Sequence, residues 1–398
     1  MNKMLFYEHL RRGRHLMNAL KIAIAGGGVG GMAAAIALQS HGHQVAIYEQ
    51  TSAFGRIGAD VNLTPNAVHA LDGLGVGIGE RLRQTAARPE FRISRMWDDG
   101  RETSRLPMSA AAEEKYGAPQ LTIHRADLLN ALQDALAPGT IRFGAAVAGL
   151  EQGDAGATLL LKDGSRHAAD VLIGGDGIHS ALRTAMFGPD APRFTGLVSW
   201  RAVVPRAAVA ELPNLDSFTK WWGPDSDRQI VTFPLTGGEE IFVFATTPQT
   251  DWSEEGWTLP GDIAELRAAY ADFHPEARTL LEACTEVTRS ALHVREPMPR
   301  WSQGRAALLG DAAHPMVPFM AQGACMAIED AVVLARALCD GPETVPEALK
   351  AYEDARRDRT AAIQRGSLAN EWLKEGGNAD WVYGYHAWTA PLGEPAPV

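Results

Sequence analysis

The sequence predicts an α/β fold: a parallel, doubly wound sheet of Rossmann-like character, interrupted by an antiparallel β-sheet and closed by C-terminal helices. Three observations predict it. An apolar strand at Ile22–Ala25 runs into Gly26-Gly27-Gly28-Val29-Gly30-Gly31 and then into an alanine-rich run from Met32 to Leu38. Strand–turn–helix patterns recur at 170–183 and 305–338. Between about 190 and 284 the texture changes to alternating β-rich runs, and five of the ten tryptophans fall there: Trp200, Trp221, Trp222, Trp252 and Trp257.

The first stretch carries the sharpest signal. Gly26, Gly28 and Gly31 fit G-x-G-x-x-G, and each has its own physical reason. Gly26 permits the tight turn, Gly28 leaves room for a pyrophosphate at the helix N-terminus, and Gly31 lets helix and strand pack closely. A second strand, Val45–Glu49, ends in the acid expected to hold a ribose 2′-OH. Strand, glycines, helix, strand and terminal Glu together indicate a dinucleotide site.

Composition narrows the function classes. Of 398 residues, 46% are hydrophobic and 21% charged, enough for a sizeable core in two or three domains. Thirty-seven basic against 48 acidic residues give a net charge of −11, which disfavours nucleic acid or an anionic membrane as partner. Cys284, Cys325 and Cys339 are too few and scattered for a disulfide framework or zinc site, so a reducing, cytoplasmic setting and no metal are expected. No run of about eighteen apolar residues occurs, so no membrane span is expected.

Along the chain, residues 1–19 fit nothing that follows and read as a loose or spurious extension, with Met17 at a normal distance before the first strand. Residues 54–65 read as a glycine-rich loop and 66–74 as a helix. Short strands and turns fill 90–123, and a helix begins at 123–129 with Asp127 in its first turn. Ile141–Val147 reads as a strand, and Asp163-Gly164 as the turn of a hairpin. Asp170–Gly174 is a buried strand breaking at Gly175-Asp176-Gly177, either an ordinary strand–turn–helix or a strand-end acid facing a ligand crevice. The antiparallel insert offers an aromatic face to a flat ligand. Gly323 opens a long helix whose N-terminus suits an anion or the electron-rich edge of a ring. A further helix from Pro346 carries Glu353, Arg356, Arg357 and Arg359 as a solvated face, and the aromatic tail at 381–388 packs back. His41 and His43 read as surface residues. The expected domains are 20–185 with 285–345, the insert at 186–284, and a C-terminal helical segment at 346–398.

Together these stretches resemble the flavoprotein aromatic hydroxylases, single-component FAD monooxygenases of the para-hydroxybenzoate and salicylate hydroxylase type. Gly26–Gly31 with Glu49 is similar to the family's ADP-binding fingerprint, Gly175-Asp176-Gly177 to its Asp-Gly motif, and Gly310-Asp311-Ala312-Ala313-His314-Pro315 to its Gly-Asp motif. The resemblance covers nearly the whole chain from Lys21. Within the family the pattern is most similar to the 6-hydroxynicotinate 3-monooxygenases, at Lys220-Trp221-Trp222, Met320–Asp330 and 381–385. The pocket departs from theirs: Asn62, Gln229, Phe233 and Phe319 stand where they carry His, His, Tyr and His.

The resemblance implies an FAD-binding domain that contacts its cofactor through Gly26, Gly28, Gly30, Gly31, Glu49, Gln50, Arg56, Arg125, Val147, Asp176, Asp311, Gly323 and Ala324. It implies a substrate pocket at Asn62, Trp200, Phe218, Gln229, Phe233 and Phe319. Pro318 is expected to turn its backbone carbonyl to the reacting ring. Asn62 and Gln229 can orient a substrate but are poor bases. His314 is read as structural or as a base. NADH or NADPH visits transiently, since no second glycine fingerprint occurs. The implied reaction is hydroxylation of an aromatic or pyridine carboxylate through a flavin C4a-hydroperoxide, with or without decarboxylation, by a monomer or homodimer. A non-oxygenating FAD oxidoreductase is the alternative.

Overall fold

The computed structural model describes residues 19–55, 60–154, 156–252, 254, 256, 258–340 and 344–393. Residues 1–18, Arg56 and Trp257 lie outside the described residues. The apolar run at the start forms the strand Lys21–Ala25, the middle of a six-stranded sheet. On one side lie Gln44–Glu49 and Ile141–Phe143; on the other, Val171–Gly174 and Ala306–Leu308; all five strands are parallel. Ser302–Gln303 adds an antiparallel edge. Because Lys21–Ala25 is flanked by a strand that follows it and one from 150 residues later, a crevice opens at the carboxyl ends of the strands.

The alanine-rich helix Val29–Ser40 is buried from Val29 to Leu38. Its small side chains let it lie closely between the sheet and a second apolar helix, Gly323–Asp340. A buried environment on all sides explains why neither helix needs a polar stripe.

The second sheet has eight strands, in the order Leu259–Pro260, Thr288–Val294, Arg193–Pro205, Glu240–Pro248, Gln229–Leu235, Phe218–Trp222, Phe91–Met96 and Glu102–Pro107. It is antiparallel except where Phe218–Trp222 runs parallel to Phe91–Met96. It therefore draws strands from outside 186–284, a hairpin before it and Thr288–Val294 after it. Within that range residues 263–283 are helical rather than β: Ile263–Ala269, capped by Asp262, and Pro275–Ala283, capped by His274 with proline at the first turn. These two helices cover one face of the sheet, where they bury Trp200, Trp221 and Tyr270. The opposite face carries Phe218, Phe233, Phe242 and Phe244 and meets Val317 and Phe319 from the segment that follows Ala306–Leu308.

Several local expectations are corrected. The strand expected at 141–147 ends at Phe143, and Val147 opens a separate meander, Val147–Gly153, Gly156–Leu161 and Arg166–Ala169. His43 is buried, accepting the Leu20 N–H at Nδ1 with Cys339 Sγ 3.3 Å from Nε2. The helix Val345–Ala369 does not show a solvated Arg face. Glu353, Arg356 and Arg359 are all buried, and only Arg357 stays partly open. The aromatic tail does pack back, burying Val382, Tyr383 and Ala387. No helix among the described residues is long and apolar enough to cross a membrane.

Candidate active site

The glycine loop shows three different demands. Gly26 sits at φ +92°, and a Cβ there would lie 2.4 Å from the Gly175 carbonyl oxygen. A Cβ on Gly31 would lie 2.1 Å from the Gly26 carbonyl oxygen, so its absence is what allows strand and helix to touch. Gly30 faces the protein too, with Leu309 and Ala327 occupying the space a side chain would need. Gly28 is different. Nothing lies within 4 Å of its missing Cβ, and no side chain caps the helix N-terminus that follows. Open space beside uncapped backbone N–H groups is what a pyrophosphate requires.

Glu49, at the end of the next strand, accepts the Gly27 N–H at 2.7 Å on one oxygen and the Thr51 N–H at 2.9 Å on the other. Each oxygen keeps a lone pair for a ribose hydroxyl. Backbone bonds from Gly144 to Thr51 and from Ala145 to Glu49 bring Val147 and the exposed Gln50 to the same rim. The residues present fit the ADP half of FAD.

Across the crevice, Ala306–Leu308 ends in a turn at Gly310–Ala312, where Gly310 adopts φ +58°. Asp311 opens onto a crevice deep enough that the surrounding protein raises its pKa, while the charges of His314 and Arg125 oppose the shift. Arg125, first residue of its helix, also acts on Asp60, whose carboxyl is raised to about 6 by burial against the pull of Arg201 and Arg125. Arg125, Asp60 and Asp311 thus converge. Gly323 and Ala324 start their helix close by. Buried Gln322 ties that start to the loop after Asn62, donating to Thr64 Oγ1 and accepting from Asn66.

Asp176 turns the other way. Its backbone abuts Gly26, but its carboxylate accepts from Ser180 Oγ at 2.5 Å and from the N–H groups of Ala181 and Leu182. It therefore caps the helix Ala181–Phe187, the ordinary strand–turn–helix alternative. Asp311→Ala is expected to weaken FAD binding by about tenfold or more, the worth of a hydrogen bond to a charged group. Asp176→Ala is expected to cost about 1 kcal/mol of stability, with FAD retained. FAD titration and thermal melting of both variants check this; the reverse pattern would reverse the two roles.

The substrate side is an apolar wall. Phe218 and Phe233 stack at 5.3 Å with 4° between planes, and Phe319 closes from the Gly-Asp loop. Pro318 begins a short turn whose carbonyl accepts the Ala321 N–H at 2.9 Å, leaving one lone pair. Asn62 is buried, accepting from Gln120 Nε2 at 2.8 Å, and its own Nδ2 has no partner among the described residues. Gln229 is 1% exposed with neither amide atom satisfied. These buried polar atoms beside an apolar wall have partners to gain that the described residues do not supply.

One expected pocket residue lies elsewhere, and His314 takes the structural of its two expected roles. Trp200 is on the far face of the sheet, its Nε1 donating to Thr247 Oγ1 at 2.8 Å. Alternation along Arg193–Pro205 sends Ser199 and Arg201 to the near face instead. His314 is buried behind the Gly-Asp loop with its Nε2 2.6 Å from Asp330 Oδ2, so it holds the loop rather than facing the pocket. Sequence reasoning missed Asp60, Arg201, Arg92 and Lys220. Lys220 did leave a signal, a lone cation in the strand Phe-Thr-Lys-Trp-Trp.

A dinucleotide-type glycine loop and a Gly-Asp turn on one side and an aromatic wall on the other are the features of an FAD-dependent aromatic hydroxylase, a class that takes a reduced nicotinamide as co-substrate. Residues 19–367 match the family described as the FAD binding domain, and the chain belongs to that family. It is 38% identical to 6-hydroxynicotinate 3-monooxygenase of Bordetella bronchiseptica, over 94% of this chain and 97% of that one. It is 35% identical to a 3-amino-4-hydroxybenzoate 2-monooxygenase of Streptomyces platensis, over 94% and 98%. A solved salicylate hydroxylase in complex with its substrate superposes with a TM-score of 0.80 at 29% identity, over 93% and 96%.

Proposed function

We propose that this protein is a monooxygenase that consumes NADH or NADPH and O₂ to hydroxylate a small aromatic carboxylic acid, a hydroxy- or aminobenzoate in preference to 6-hydroxynicotinate. The carrying observation is the pocket wall: Phe218, Phe233 and Phe319 bear no proton-transfer group, and the two orphaned side chains at positions where the similar pyridine hydroxylases carry imidazoles, Asn62 and Gln229, are amides. Bound FAD, once reduced, supplies the activated oxygen. The phenylalanines exclude water and hold the ring flat. Asn62 and Gln229 orient its substituents through their unsatisfied amide atoms, and the Pro318 carbonyl faces the ring edge. None of these groups takes up a proton at neutral pH, so the electron-donating group must come from the substrate itself. A hydroxy- or aminobenzoate meets that need on an electron-rich carbocyclic ring, whereas the para hydroxyl of 6-hydroxynicotinate must work against the electron-withdrawing ring nitrogen and calls for more help from the protein.

The test is a panel of hydroxybenzoates, aminobenzoates and 6-hydroxynicotinate, followed by NAD(P)H oxidation, oxygen uptake and mass spectrometry of products. Hydroxylated benzoates formed faster than the pyridine product are the expected result. A preference for 6-hydroxynicotinate would sink the substrate assignment. Reduction of a substrate without oxygen uptake would sink the monooxygenase reading. Release of carbon dioxide marks the carboxyl-bearing carbon as the target; its retention marks a ring carbon bearing hydrogen.

A further inference from the structure

Alternation along Phe218–Trp222 puts Phe218, Lys220 and Trp222 on the face that meets the Gly-Asp loop. Lys220 is 3% exposed. Its Nζ lies 3.6 Å from the ring centre of Trp222 and 5.7 Å from that of Phe319, the residue after Pro318. One of its three donors goes to Asn370 Oδ1 at 2.6 Å, and no carboxylate pairs with it among the described residues. On the neighbouring strand Arg92, 4% exposed and opposite Phe218 in register, holds its guanidinium 4.5 Å over the Phe218 ring and 4.9 Å over Trp372. Its Nη1 has no hydrogen-bond partner and it too forms no ion pair among the described residues. Lys374 adds a third positive charge, 5.4 Å from the Trp222 ring.

Buried like charges without a counter-ion are costly. Desolvation of each ion costs several kcal/mol even after relaxation, and the cations also repel one another. Burial first, then Arg92 and Lys374, drive the Lys220 pKa far below the ordinary lysine range. Cation–π contacts and a single amide recover only part of that cost. Next to the cluster, Gln229 keeps both amide atoms free, and Trp222 Nε1 is unsatisfied as well. Apart from the Gln229 oxygen and the Tyr383 hydroxyl beside Arg92, every orphan in this group is a donor only. The missing component is an acceptor carrying negative charge.

We propose that Lys220 and Arg92 form the subsite that receives the carboxylate of the aromatic substrate, with Gln229 donating to the same end of the molecule. The assignment rests on the aromatic-acid reading above and deepens it. A carboxylate is fully ionised at neutral pH, whereas a phenol is not, so it brings its negative charge to the cluster without first giving up a proton, and that charge favours the protonated form of Lys220. Its two oxygens also suit two cations approaching from adjacent strands. With the acid anchored on the sheet, the ring stands against Phe218 and Phe319 and beside the Pro318 carbonyl.

The test uses the FAD-loaded enzyme and three pairs of probes, 2-, 3- and 4-hydroxybenzoate with the matching hydroxybenzamides. Binding is read from perturbation of the flavin absorbance, and KM and kcat from NAD(P)H-dependent oxygen uptake. At least one acid should bind about tenfold or more tightly than its amide in the wild type, the scale expected of a buried charge pair. Lys220→Met and Arg92→Met should each weaken the acid and spare the amide, raising KM far more than they lower kcat. Lys220→Arg should restore the preference. FAD content and melting temperature establish that each variant is folded. Four results would overturn the subsite: equal binding of acids and amides by the wild type, binding of none of the six probes, equal weakening of acid and amide in the variants, or a fall in kcat with the preference intact. The last would make Lys220 a base. Hydroxylation of acids and amides alike would leave the monooxygenase reading standing while removing this subsite.

Discussion

Gly28→Val is expected to yield a folded, colourless protein, whereas Gly31→Val is expected to yield little folded protein at all. Gly28 has φ −72° and ψ −177°, extended backbone that valine adopts readily, and nothing within 4 Å of the added Cβ. Losing a glycine there even lowers the entropy of the unfolded chain, worth about 0.4–1 kcal/mol when the native conformation is compatible. The isopropyl group would instead fill the space above the uncapped helix N-terminus, where the pyrophosphate must approach. FAD affinity should fall by more than about a hundredfold, roughly 2.7 kcal/mol. At Gly31 the obstacle is the Gly26 carbonyl oxygen, 2.1 Å from the added Cβ, and neither backbone can move without separating strand from helix. Reconstitution with FAD followed by absorbance, together with melting of the two apoproteins, measures the contrast. A yellow Gly28→Val protein with wild-type affinity would mean the cofactor's phosphates lie elsewhere.

The same contrast explains what could be read without coordinates. The glycine loop was legible because its chemistry is local: turn, close approach and packing all act within a dozen residues. The roles of Asp176 and Trp200 were not. Whether a strand-end acid faces a ligand or the next helix depends on the turn that follows, and Ser180 and Ala181 capture Asp176. Alternation places Trp200 opposite Ser199 and Arg201, but only the helices at 263–283 decide which face is the back. Arg356 and Arg359 read as a solvated face because their spacing suits one, and their partners sit on a different helix. The hint lay in Glu329-Asp330, two acids in the midst of the otherwise apolar run from Ala324 to Ala335.

That pair underlies the second large effect, since Asp330→Asn is expected to destabilise the protein by about 3–5 kcal/mol, the cost of breaking a buried ion pair from one side. Glu329, Asp330, Arg356 and Arg359 are all 0% exposed. Arg356 reaches Asp330 at 2.8 Å and Glu329 at 2.6 Å, while Arg359 pairs with Glu329 and donates to the carbonyls of Trp381 and Val382. Asp330 also accepts the Gly310 N–H at 3.0 Å and lies 2.6 Å from His314. The network therefore clamps the two long helices, the aromatic tail and the Gly-Asp loop together. Replacing the whole set by well-packed apolar residues could be neutral; removing one charge leaves Arg356 under-compensated in a dry interior. Burial by itself would raise the Asp330 pKa, but His314 and Arg356 overcome it and hold the carboxyl at about 2. A folded pKa below the unfolded value of 3.8 means the contribution is complete above about pH 4 and is lost as pH falls towards 2. Denaturant midpoints of wild-type and Asp330→Asn apoprotein should thus differ by a constant amount from pH 7 to about 4 and converge below it. FAD affinity should fall in the variant as well, because a single amide oxygen cannot accept both from Arg356 and from the Gly310 N–H that fixes the loop carrying Asp311. A gap between the two proteins that stays unchanged down to pH 2 would show that Asp330 is not the ionised centre of this network.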